Sequence, residues 1–155
     1  SNYRLAKETL LDRLDEQPAT VHRIRGELPP ADAADELDAA LEGAELDLML
    51  LGLGPDGHMA SLFPASPQLG VLDRHATSGP AGLEPFVDRV TMTLPAIQSA
   101  RRIVFLVTGE AKADAVARAF AAEPSPDVPA SLARLAPVVV EVFLDEAAAS
   151  RLPSR

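Results

Sequence analysis

Leu46-Asp47-Leu48-Met49-Leu50-Leu51-Gly52-Leu53-Gly54-Pro55-Asp56-Gly57-His58 is the stretch whose reading decides the fold class. Its first half is nearly continuous in hydrophobicity and stops at a glycine. Two further runs share that character: Ile103-Val104-Phe105-Leu106-Val107 and Val138-Val139-Val140-Glu141-Val142-Phe143-Leu144. Strands apolar on both faces belong to a parallel sheet covered by helices on each side. All 14 prolines fall outside the three runs, as central strands require. The chain therefore reads as α/β.

Helical spacing fills the intervals. Asn2 is placed to cap a helix whose stripe is Tyr3, Ala6, Leu10 and Leu14, closed by Pro18. Val21 to Ile24 reads as a short strand or extended connection. Pro29 and Pro30 suit the entry of a second helix carrying Ala33, Leu37, Ala40 and Leu41, with Gly43 as its stop. Arg89 to Leu94 alternates enough for a further strand. Ala111 to Ala122 reads as a helix that buries Ala115, Val116, Ala119 and Phe120, and Ala147 to Leu152 as a short terminal one. Residues 64–88, with four prolines and three glycines, read as a long loop. Residues 123–137 read as another, with a helical turn around Ser131-Leu132-Ala133. An α/β domain usually opens with a strand. This chain opens with a helix and with Ser1 instead of Met, so the expectation is a cut or processed start and an incomplete sheet.

Composition narrows the function classes. The 155 residues hold 14 Lys+Arg against 23 Asp+Glu, a net charge of −9, which argues against broad nucleic-acid binding. A hydrophobic fraction of 47% suits one globular domain over residues 1–155, too apolar for disorder. Without cysteine there is no disulfide, thiol nucleophile or thiolate-held metal. No apolar stretch approaches the ~18 residues of a membrane span, and the opening residues carry no signal-peptide pattern. The cytoplasm is the default expectation.

The glycine loop after the first run carries the chemistry, because α/β proteins place ligands beyond the carboxyl ends of their strands. Gly52, Gly54 and Gly57 satisfy G-x-G-x-x-G literally. A dinucleotide site fails on two grounds: Pro64 and Pro67 cut short the helix that should follow, and Asp56 would face an anionic pyrophosphate. The glycines read better as backbone tools that permit positive φ and close approach of a ligand to N–H groups, with Gly54 and Gly57 as substrate-contact and oxyanion candidates. Asp56 and His58 then present a carboxylate and an imidazole suited to proton transfer at neutral pH. His22 and His75 have no comparable setting. Three scattered histidines do not make a metal site, and no cofactor is expected.

Thr108-Gly109-Glu110-Ala111-Lys112 follows the second run and opens a helix. Lys112 sits where acids are usually favoured, which an anion such as phosphate bound nearby explains. Arg89 is a second candidate cation. Arg101 and Arg102 read as a solvated helix end.

Leu46 to Pro64, continuing as Met59-Ala60-Ser61-Leu62-Phe63-Pro64 after His58, resembles the signature of 6-phosphogluconolactonases. Arg89-Val90-Thr91-Met92-Thr93-Leu94-Pro95 and Val107-Thr108-Gly109-Glu110-Ala111-Lys112-Ala113 agree in order and spacing, as do Ser1 to Arg4 and Phe143 to Ala148. The resemblance implies a three-layer α/β/α sandwich of the kind shared with glucosamine-6-phosphate deaminases. It implies hydrolysis of 6-phospho-D-glucono-1,5-lactone to 6-phosphogluconate, in the oxidative pentose phosphate pathway. His58 would be the general base, Asp56 its support or a contact to a sugar hydroxyl, and Lys112 and Arg89 the phosphate contacts. The family's first βαβ portion, with a glycine-rich phosphate loop, has no counterpart before Ser1. Two competitors follow: an amino-sugar-phosphate isomerase or deaminase, which the Ser61-Leu62-Phe63-Pro64 run disfavours, and a non-catalytic sugar-phosphate-binding fragment. The fragment would self-associate or need a partner chain.

Overall fold

A computed structural model describes residues 2–18 and 20–153. Three strands, β1 (Met49–Leu51), β4 (Ile103–Val107) and β5 (Val140–Leu144), form a parallel sheet in the order β1-β4-β5. Met49 stands opposite Ile103 and Leu51 opposite Phe105, while Ile103 pairs with Val140 and Val107 with Leu144. Each strand lies inside one of the apolar runs, trimmed by up to three residues at its start. The α/β reading therefore holds.

The sheet's two faces differ. Met49, Leu51, Ile103, Phe105 and Val107 point into the main core beside Ile97, Ala115, Val116, Ala119, Ala130, Ala133 and Ala148. Those partners come from α3 (Leu94–Gln98), α4 (Ala113–Phe120), a 3-10 segment (Pro129–Leu135) and α5 (Glu146–Ala149). Phe120 meets Phe105 edge to face, 5.1 Å between centroids. On the other face, Val104 is buried, but Leu50, Leu106 and Phe143 are exposed. The expectation of helices on both sides is thus met on one side among the described residues. Apolar character reports what a face can bury, not what covers it.

Elsewhere the elements follow local rules. Helix α2 (Pro30–Leu41) starts with proline in its first turn and ends ahead of Gly43, whose φ of +70° suits glycine. It buries Ala33 and Ala34 and lies against the β2–β3 hairpin. Strand β3 (Arg89–Met92) is the alternating segment, and it pairs antiparallel with β2 (Ala76–Gly79). Strand β2 lies within the segment read as loop, because Ala-Thr-Ser-Gly carries no apolar alternation. Thr93 then caps α3 by accepting from the Ala96 N–H, and Asp145 caps α5 by accepting from Ala148 N–H. The helix read from Ala111 splits into a 3-10 turn (Glu110–Lys112) and α4, with Ala115, Val116 and Ala119 buried as expected.

The front of the chain departs most from its reading. Helix α1 (Asn2–Thr9) includes Asn2 in its first turn, and a 3-10 turn (Leu11–Arg13) replaces its expected continuation. Tyr3, Leu10 and Leu14, the expected buried stripe, are exposed. Of the two readings of Val21 to Ile24, the strand fails and the connection stands. Arg101 bonds Glu45 and Asp47, and Arg102 bonds Glu141, so this pair straps the starts of the strands at the surface instead of ending a helix.

Candidate active site

Strand β1 ends at Leu51, and the chain turns sharply through Gly54 to His58. Gly54 N–H donates to the His58 carbonyl at 2.8 Å, and Gly57 N–H donates to the Gly54 carbonyl at 3.0 Å. Asp56 stands inside this turn. Its Oδ1 accepts from the His58 backbone N–H at 3.1 Å and lies 2.6 Å from His58 Nδ1. A carboxylate only accepts, so in the neutral ring this contact places the hydrogen on Nδ1 and the lone pair on Nε2. Two residues from one turn thus set both the tautomer and the aim of the imidazole.

Gly54 is the residue that makes room for the ring. A Cβ built there would stand 2.0 Å from His58 Nδ1. Gly57 serves the turn differently: its φ is +96°, and an added Cβ would meet Val128 Cγ1 at 2.7 Å. Its carbonyl accepts from Ala130 N–H at 2.9 Å, which ties the loop to the 3-10 segment. Both amides expected to be oxyanion donors are therefore engaged inside the loop. The glycines shape the site instead of offering those donors.

Gly52, Leu53, Gly54, His58, Ala60 and Lys112 line an open cavity of about 280 Å³. Lys112 enters it from the 3-10 turn after β4, donating from Nζ to the Leu53 carbonyl at 2.8 Å. An ammonium has three donors, so this bond anchors the side chain and leaves donors for a ligand. The anion at the start of that turn belongs to the chain itself. Gly109 N–H is shared between both oxygens of Asp145, each at 3.0 Å. Asp145 escaped the sequence reading, although an Asp before Glu-Ala-Ala-Ala is an ordinary helix-cap pattern.

Of the residues singled out in the sequence, the cavity wall contains Gly52, Gly54, His58 and Lys112 but not Gly57, with Asp56 hydrogen-bonded to His58. Arg89 is not on that wall. Its guanidinium carbon lies 5.8 Å from the centroid of the Phe63 ring, and that ring lies 4.5 Å from the His58 ring. Ala60, unnoticed in the sequence, adopts φ of +49°, an uncommon backbone state for a residue with a Cβ. A larger concavity, about 370 Å³, lies at Asp38, Glu42, Asp73, Arg74 and His75. Its arginine is paired with Asp35 and Asp38. Its surplus charge is negative, so it suits an anionic substrate poorly. Among the described residues, no helix is long and apolar enough to cross a membrane.

A parallel sheet with a cavity at its carboxyl edge, lined in part by His58 and Lys112, defines a protein of the α/β class, in which ligands sit over the strand ends. The family model for glucosamine-6-phosphate isomerases/6-phosphogluconolactonase matches residues 1–141, and the chain belongs to that family. A probable 6-phosphogluconolactonase 1 of Arabidopsis thaliana is 36% identical over 98% of this chain and 64% of its own length. The 6-phosphogluconolactonase of Homo sapiens is 37% identical over 98% of this chain and 62% of its own. The solved 6-phosphogluconolactonase from Trypanosoma cruzi superposes with a TM-score of 0.81 at 29% identity, covering 99% of this chain and 67% of that one. The chain thus spans somewhat less than two thirds of the two curated relatives' length.

Proposed function

We propose that residues 1–155 form one lactonase-like domain that hydrolyses 6-phospho-D-glucono-1,5-lactone to 6-phosphogluconate, in the cytoplasm and in the oxidative pentose phosphate pathway. The observation that carries this reading is the His58–Asp56 pair, 2.6 Å apart, opening into a cavity that also holds Lys112. A six-membered ring ester is already electrophilic. What it needs is an activated water, a stabilised oxyanion and a fixed orientation.

His58 Nε2 takes a proton from water as the water oxygen bonds to C1. The carbonyl electrons move onto oxygen, giving a tetrahedral intermediate and an imidazolium that Asp56 stabilises. The intermediate collapses by breaking the C1 to ring-oxygen bond, and the imidazolium returns its proton to the ring oxygen. The product is the open-chain acid, which ionises in water. Lys112 holds the phosphate from the cavity wall and Arg89 from beside Phe63. Binding energy taken from this remote group orients the ring at the base. The exposed sheet face supports an assembly with a second copy or a partner chain.

Replacing His58 by Ala lowers the hydrolysis rate by about 10² to 10⁴-fold, the usual worth of a positioned acid–base group. The assay must be short, because the lactone also opens unaided. A His58→Ala variant as fast as the parent overturns the base assignment. Ammonia release from glucosamine 6-phosphate, with no lactone hydrolysis, overturns the reaction.

A further inference from the structure

Phe63 touches both candidate groups that the cavity wall does not itself unite. It is almost fully buried, at 2% exposure, and its ring centroid lies 4.5 Å from that of His58 at an interplanar angle of 45°. The Arg89 guanidinium carbon lies over the same ring at 5.8 Å. Phe63 is itself held. A Cβ at Gly82 would stand 2.8 Å from its Cγ, so the chain there closes directly over the ring. Ser61 N–H donates to Thr91 Oγ1 at 3.1 Å, which ties the loop carrying Phe63 to β3, the strand that begins with Arg89. A buried ring packed in this way has one orientation to offer its neighbours.

We infer that Phe63 is a positioning residue: its ring is a common platform that seats the His58 imidazole and the Arg89 guanidinium, so that the base and the phosphate cation are set in register. This inference rests on the reading of His58 and Arg89 given above. The aromatic face attracts a guanidinium through its quadrupole, and an aliphatic side chain of similar volume does not. The charged groups around the imidazole are Asp56 at Nδ1, Lys112 across the cavity and Arg89 through Phe63 itself.

The test is a double-mutant cycle with Phe63→Leu and Arg89→Met, read by steady-state kinetics and by NMR of the His58 ring protons in the substrate-free protein. Phe63→Leu lowers kcat about tenfold through misplacement of the base. It also raises KM about threefold through loss of the guanidinium seat. Arg89→Met raises KM, and the double variant raises KM no further than the larger single one. Independent effects on KM, or a Phe63→Leu variant within twofold of the parent in both constants, overturn the platform.

The NMR arm needs no turnover. The His58 ring resonances must move in Phe63→Leu, and in Arg89→Met should Phe63→Leu fail to fold. Unmoved resonances overturn the platform even in an active enzyme. A parent chain without lactonase activity, but with the expected resonance shifts, overturns the reaction and keeps the platform.

Discussion

Phe105 and Leu106 are neighbours in one strand and have opposite surroundings. Phe105 is 0% exposed and packs against α4, while Leu106, one residue on, is 52% exposed. The pleat sends them to opposite faces of the sheet, and only one face is packed over its length. The site belongs to the packed side. Leu53, Met59 and Leu62, which flank His58 along the chain, are members of the same buried cluster as Phe105. The imidazole is therefore supported by a close-packed core, and the open face lies outside that support.

The largest expected effect tests this division directly. Phe105→Ala empties space in the packed core and costs about 3–5 kcal/mol, measured by urea unfolding. Leu106→Ala, with similar chemistry one residue away, costs under about 1 kcal/mol in dilute protein. Comparable costs would break the comparison, because they would require the Leu106 face to be covered in solution. Repeating the pair at several protein concentrations shows whether a second copy supplies that cover.

The same asymmetry explains what could be read from the sequence. Continuous apolar runs revealed the three parallel strands, since β-propensity and hydrophobicity are properties of the strands themselves. They could not reveal that Leu50, Leu106 and Phe143 lack a covering element, because cover is supplied by other parts of a molecule. Strand β2 was illegible because Ala76-Thr77-Ser78-Gly79 is a strand only through its pairing with β3. At the site, the Asp-Gly-His turn after a strand is legible, down to the two side chains that it brings together. Gly54's task was not, because it depends on where the imidazole folds back. Asp145 occupying the Gly109 amide was also hidden, since the two meet only through the order of β4 and β5.

Gly54→Ala comes next in size and sharpens the link between packing and chemistry. With a Cβ only 2.0 Å from His58 Nδ1, the ring must leave its place beside Asp56. Displacement of a catalytic group by about 1 Å costs on the order of 10²-fold in rate. Unfolding free energy should change far less than in Phe105→Ala, because the cavity side of the ring is open. A Gly54→Ala variant with full activity would show that the imidazole does not act from this position.

The smallest of these effects concerns a region held by polar contacts instead of apolar packing. Asp38 of α2 accepts from the backbone N–H groups of His75, at 2.6 Å, and Ala76, at 3.0 Å, and so fastens α2 to β2. Burial pushes its carboxyl upward, but the two N–H donors and the Arg74 charge outweigh that and hold it below the ordinary range. A carboxyl depressed by folding adds stability that is complete above the unfolded value, about 3.9, and drains away as pH falls through the lower folded value. Asp38→Ala should therefore cost about 2 kcal/mol at neutral pH, and the gap between variant and parent should shrink below about pH 4. Phe105→Ala, by contrast, should keep its full cost across that range, because no proton is involved. A pH-independent Asp38 effect would place the origin of that stability in packing, and the distinction between the two kinds of fastening would fail.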